Sequence, residues 1–298
     1  MNPSQQQSKL GHSQVSLGSL LHTLSIPMAP KAYDPSSENE QAPLLPSAPL
    51  VTVSSDLVIQ PPLTGRGSGP GVILLLQDPS FLGASPLGRR RPLDPEPVQK
   101  WAEEGFSVAA VTLSPSSIFD QTSAISVLKR AIDGLLQVRE LDTRDKFAVI
   151  GNSLSFRHAL VTMLRHSSLV YDSDPAVLDA LIGLEGLPIA CLISYGASPR
   201  ITYPKPRFAT LLHVLQKTDV AENTTIYSYS VQSPHFVLPQ TLGYDSGSAS
   251  LAHSRSLVFL RKWLGGPLFD LEVIWDRHCY FEFEVRSVAK TMATMVVC

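Results

Sequence analysis

Short, uninterrupted apolar runs separated by longer amphipathic stretches constrain this chain more than any other feature. Val72-Ile-Leu-Leu-Leu76, Ser107-Val-Ala-Ala-Val-Thr-Leu113, Lys146-Phe-Ala-Val-Ile150 and Pro188-Ile-Ala-Cys-Leu-Ile-Ser194 lack the alternation of a strand with one wet face. Such runs suit strands buried on both sides. Three more strands are expected at Ser55–Gln60, Phe208–Val214 and Thr224–Tyr229. Between them, Asp94–Glu104 reads as a helix with Trp101 facing inward. Thr122–Leu141 has helical spacing at Ile125, Leu128, Ile132, Leu135 and Leu136, and Leu154–Arg165 and Ser248–Leu264 read as further helices. This order predicts an α/β fold: a mainly parallel sheet with helices on both faces. Ligands in such folds gather at the carboxyl ends of the strands.

The pattern does not reach the amino terminus. The first 70 of the 298 residues hold 10 of the 24 prolines, 12 serines and one aromatic, Tyr33. Such a segment buries too little apolar surface to offset its ordering entropy. Residues 1–49 are therefore expected to form a disordered leader, 50–266 the α/β domain and 267–298 a helical tail. Residues 1–33 contain no acid but also no arginine, and His22, Thr23 and Ser25 interrupt the apolar stretch near Leu20–Ile26, so no targeting signal is read there. With 24 basic against 26 acidic residues, net −2, the charge gives no electrostatic case for nucleic acid or an anionic membrane as partner. No apolar run approaches the ~18 residues that span a bilayer. Three scattered cysteines, Cys191, Cys279 and Cys298, offer neither a disulfide framework nor a zinc site. A cytoplasmic protein is the expectation.

The chemistry is expected after the third buried run. Gly151-Asn-Ser-Leu-Ser155 leads from a strand directly into a helix. A sharp strand-to-helix turn lifts the central side chain clear of the sheet, and the helix start behind it favours developing negative charge. Ser153 holds the nucleophile position; Ser155 stands where the Gly-x-Ser-x-Gly pattern has its last glycine. A serine nucleophile needs a base and an orienting acid, in chain order Ser, Asp, His for this architecture. Asp219 follows the strand that carries His213, and His235 follows the next, in Ser233-Pro-His-Phe236. Each stands just past a strand, on the edge expected for Ser153. Blander readings sit beside these. Asp219 could cap a turn. His213, inside an apolar strand, reads as a satisfied core histidine, and one of His158 and His166 as solvent-facing. Cys191 reads as a small hydrophobe. Arg89-Arg-Arg91 reads as a solvated loop, with a carboxylate-bearing substrate as its alternative use.

At these residues the chain resembles the dienelactone hydrolase family, a branch of the α/β-hydrolases, from about residue 55 to Gly265. The likeness takes in the turn Gln77-Asp-Pro-Ser-Phe-Leu-Gly83, the elbow at Ser153, Asp219, the pair His235-Phe236, Tyr244 and the last helix. Family members usually carry cysteine at the elbow, two glycines after the residue that follows it, and a glycine between the catalytic histidine and the phenylalanine. Here these places hold Ser153, Ser155-Phe156 and a direct His235-Phe236 junction. The resemblance implies hydrolysis of an ester or lactone through an acyl-enzyme, without a cofactor. It also implies an oxyanion hole made by the Leu154 N–H and a donor from the turn after the first core strand. Pro79 in that turn has no N–H, which leaves Ser80. A hole short of one donor loses about 10²–10³ in rate.

Leu271–Met295 resembles the opening helix of a SnoaL-like domain, and a helix this apolar needs a surface to cover it. Partial docking, an exposed apolar patch and self-association through this helix are expected. The reading is a hydrolase of an ester or lactone in a small organic acid or polyketide-like metabolite, of the kind met in secondary metabolism. Its alternative is a catalytically degenerate relative that binds a ligand or partner.

Overall fold

The computed structural model describes residues 33–41, 48–78, 94–113, 121–152, 186–197, 208–215, 224–267 and 269–296. Eight strands form one sheet: β1 (Val51–Ser54), β2 (Leu57–Gln60), β3 (Gly71–Gln77), β4 (Ser107–Leu113), β5 (Phe147–Asn152), β6 (Ile189–Ala197), β7 (Ala209–Val214) and β8 (Thr224–Ser228). Their order is β1-β2-β4-β3-β5-β6-β7-β8. β2 runs antiparallel to β1 and β4, and every other pairing is parallel. This is the expected α/β-hydrolase-like architecture. Each apolar run read from the sequence is a strand within a residue or three of its predicted bounds.

Helices cover both faces. α2 (Gln121–Leu136) lies on one, and α1 (Pro97–Glu103) and α3 (Ser246–Leu264) on the other. Successive residues of β3 show why its run is wholly apolar. Ile73 and Leu75 pack with Leu128, Ala131 and Leu135 of α2, while Val72 and Leu74 pack with Trp101 and Ala102 of α1 and Leu260 of α3. Trp101 faces inward as expected, with 4% of its surface exposed. α3 is punctuated at both ends. The Asp245 carboxylate accepts from the Ser248 N–H at 2.8 Å, and Gly265 closes the helix in the left-handed region at φ 80°. No helix among the described residues is long and apolar enough to cross a membrane.

Three local readings need correction. β1 was not expected; it pairs with β2 at the sheet's edge, where most of its side chains are exposed and leave no burial pattern to read. α2 ends at Leu136 rather than Leu141, yet Val138 and Leu141 stay buried in the segment that follows, so the apolar spacing outlasts the helix. The tail is not one helix. α4 (Leu271–Cys279) passes into a π-helical turn (Tyr280–Val285), Arg286 turns left-handed at φ 55°, and α5 (Val288–Val296) follows. The tail helices pack on one another and on a 3₁₀ turn at Glu38–Glu40, where the Glu40 carboxylate accepts from the Ala289 N–H at 3.1 Å.

Candidate active site

The ends of the parallel strands share one edge of the sheet. β5 finishes at Asn152, the residue before Ser153, and β7 finishes at Val214, shortly before Asp219. Ser153, Leu154, Ser80 and Asp219 lie outside the described residues, as do Pro79, His158, His166 and Arg89–Arg91. His235 lies within them, in the connection from β8 to α3.

That connection is clamped. The His235 N–H donates to Ser233 Oγ at 3.1 Å, and its carbonyl accepts from the Leu238 N–H at 2.9 Å. Phe236 is fully buried, its ring 5.0 Å from that of Tyr229. Pro234 sits directly on Gly196 of β6, where a Cβ would come within 2.5 Å of the Pro234 carbonyl oxygen. Gly196 also has φ +70°, so both space and backbone select glycine there. The imidazole of His235 is half-buried, and burial lowers its pKa below the ordinary 6.5. It is therefore mainly neutral at pH 7, the state a general base needs.

Beneath this loop lies a polar network whose proton positions follow from its geometry. Ser256 Oγ is 2.9 Å from the Ala252 carbonyl, which can only accept, so the serine's one proton goes there. Ser256 Oγ then accepts from the Tyr195 hydroxyl at 2.8 Å and from His213 Nε2–H at 2.9 Å. With Nε2 protonated, Nδ1 accepts from the Tyr229 hydroxyl at 2.8 Å, and that hydroxyl accepts from Arg255 at 3.1 Å. Every donor finds an acceptor only with His213 neutral. Burial, reinforced by the nearby Arg255 charge, pushes His213 down to about 3. His213 is thus the satisfied core histidine that its apolar strand suggested. Its partners come from β6, α3 and the residue after β8, elements whose meeting no local sequence pattern announces. Cys191 likewise behaves as a small hydrophobe: it is buried in β6, and burial raises its thiol to about 12.

A cavity of about 370 Å³ opens at the same edge. Leu74, Trp101, Ile150, Tyr195 and Leu238 form much of its wall. Gly151, two residues before Ser153, and Val237, two residues after His235, also border it. The network and the cavity meet at Tyr195, whose hydroxyl bonds to Ser256 and whose ring stacks on His213 at 4.7 Å.

No protein-family model matches the chain, and no curated protein matches its sequence. Similar solved structures include a dienelactone hydrolase-like promiscuous phosphotriesterase from metagenomic libraries, at 16% identity and a TM-score of 0.38, over 74% of this chain and 99% of that one. Another is a putative dienelactone hydrolase from Klebsiella pneumoniae subsp. pneumoniae MGH 78578, at 11% identity and a TM-score of 0.43, with the same two shares covered.

Proposed function

We propose that this chain hydrolyses an ester or lactone bond in a small organic acid or polyketide-like metabolite through a serine acyl-enzyme. One observation carries the reading most: a half-buried His235, mainly neutral at pH 7, sits in a clamped loop whose Val237 and Leu238 line a mainly apolar cavity that also borders Gly151, two residues before Ser153. In this reading the Ser153 hydroxyl attacks the carbonyl carbon, and His235 takes its proton and passes it to the departing oxygen. Water then repeats the sequence on the acyl-enzyme with the same histidine as base. Asp219 orients the imidazole, and the Leu154 and Ser80 N–H groups receive the oxyanion. The resemblance to dienelactone hydrolases supplies these roles for residues outside the described segments. The same reading assigns 50–266 to the hydrolase domain, treats 267–298 as an appended tail, and places the chain in a reducing compartment such as the cytoplasm.

Turnover of p-nitrophenyl butyrate tests it. Wild-type protein should release nitrophenol, with a rate that falls as pH drops through the lowered pKa of His235. Ser153→Ala should reduce turnover to background without moving the thermal midpoint, since an elbow side chain contributes little packing. A Ser153→Ala protein as active as wild type rules the mechanism out. Pro79 favours the second reading, a degenerate binder. Wild-type protein that turns over no ester would support it.

A further inference from the structure

We infer that His213 is a positioning residue: the buried network built on it fixes where the loop from β8 to α3 holds His235. The inference rests on the hydrolase reading only for the role of His235 as base; the placement of that side chain is a property of the network.

His213 is the centre of a rank of rings that crosses three strands. Tyr195, His213 and Tyr227 are register partners on β6, β7 and β8. The His213 ring stacks on Tyr195 at 4.7 Å and on Tyr227 at 6.1 Å, and Tyr229 flanks it at 5.5 Å. From α3, Arg255 lies 4.2 Å over the Tyr227 ring, while Ser256 Oγ takes the bonds from Tyr195 and His213. His213 has no measurable exposure.

Both neighbours of His235 rest on this rank. Pro234 sits on Gly196, the residue after Tyr195. Phe236 lays its ring 5.0 Å from that of Tyr229. Ser256 holds the Tyr195 hydroxyl at 2.8 Å, and His213 holds the Tyr229 hydroxyl at 2.8 Å. The Asp245 N–H donates to the Phe236 carbonyl at 3.0 Å and ties the loop to the start of α3. His235 thus stands between two seats that are joined through one imidazole. Apolar groups of the same shape can fill a core about as stably as a polar network does. What the network adds is direction, because satisfied hydrogen bonds select one arrangement of the rings where apolar contact alone is non-directional. A catalytic group misplaced by about 1 Å can cost ~10²-fold in rate.

Three variants separate positioning from packing. His213→Gln keeps one donor and one acceptor, His213→Leu loses both, and Tyr229→Phe keeps the ring on Phe236 and loses only the hydroxyl. Two readouts follow His235 in the full chain, well below each thermal midpoint. One is the NMR titration of its imidazole, assigned by the signal lost in His235→Asn. The other is the rate at which a fluorophosphonate labels Ser153. In wild type and His213→Gln the imidazole should titrate below 6.5, and the labelling rates should agree within about twofold, since the bonding pattern is kept. In His213→Leu and Tyr229→Phe the loosened loop admits water. The His235 titration should then move up toward the ordinary 6.5, and labelling should slow by at least about tenfold. A purely structural role would lower the thermal midpoints and leave the His235 titration in place. That result in Tyr229→Phe overturns the inference, and so does a His213→Gln protein that behaves like His213→Leu. Should His213→Leu fail to fold, Tyr229→Phe decides alone. Wild-type protein that never labels would sink the hydrolase reading, and the NMR titrations would still decide whether the network places His235.

Discussion

The sheet and the C-terminal helices both draw on apolar segments, and they dispose of them in opposite ways. In the sheet, Val72, Ile73, Val108, Ala109, Phe147 and Leu192 have no measurable exposure, because helices or neighbouring strands meet each face. In the tail, Trp275 is 65% exposed, Phe283 63% and Met295 59%. Tail helix α4 buries no residue at all. Helical spacing of apolar residues therefore predicts burial only where the topology supplies an opposing layer. The sheet domain supplies two. Among the described residues, the tail packs mainly on its own short helices and the turn at Glu38–Glu40, which leave several of its apolar side chains exposed.

The same contrast governs how each region responds to perturbation. The largest expected effect is on the sheet domain and comes from pH. His213 titrates at 6.5 when unfolded and at about 3 when folded, so the unfolded chain binds the extra proton between these values. Stability from this residue is fully present above pH 6.5 and is lost as pH falls toward 3, by about 1.4 kcal/mol per pH unit. The lowered pKa of His235 acts with the same sign. Asp56, held down to about 2 by Arg130, contributes in the same direction only below its ordinary 3.8. Chemical denaturation between pH 6.5 and 4.5 therefore isolates the histidines. His213→Gln should flatten most of the slope. A wild-type protein equally stable at pH 6.5 and 4.5 would contradict the buried neutral network.

The smallest effect is expected from the tail. Cutting the chain after Gly266 removes α4, the π-helical turn and α5, whose packing is mainly internal. The thermal midpoint of the sheet domain should move by no more than about a degree or two, consistent with little buried surface lost. Self-association, followed by light scattering, should fall with the loss of exposed Trp275, Phe283 and Met295. A cut that unfolds the domain would show the tail to be an integral packing element and erase the contrast between the two regions.

What could be read from the sequence follows from the same physics. β4 was predicted over Ser107–Leu113 and is observed there, since seven consecutive residues share one buried environment. β7 was displaced by a single residue for the same reason. β1 was invisible because an exposed edge strand has no buried face to pattern. The break in the tail at Arg286 left no glycine or proline as a sign; it lies in the backbone conformation alone. At the site, the sequence placed His235 past a strand and marked His213 as a core residue. It could not reveal that Tyr195, Ser256, Tyr229 and Arg255 converge on His213, since that depends on which strands and helices become neighbours. Nor could it show Lys100 and His253 at the cavity, already bonded to Asp94 and Glu104.

The central claim is that a serine at the end of β5 is activated by His235. A fluorophosphonate probe tests it most directly, because it reacts only with a serine whose hydroxyl is activated, whatever the natural substrate. Folded wild-type protein should form one covalent adduct, mapped by peptide mass spectrometry to Ser153. His235→Ala should slow its formation by at least about 10³-fold, as loss of the general base requires. An adduct on another serine, or none on folded wild-type protein, would contradict the account.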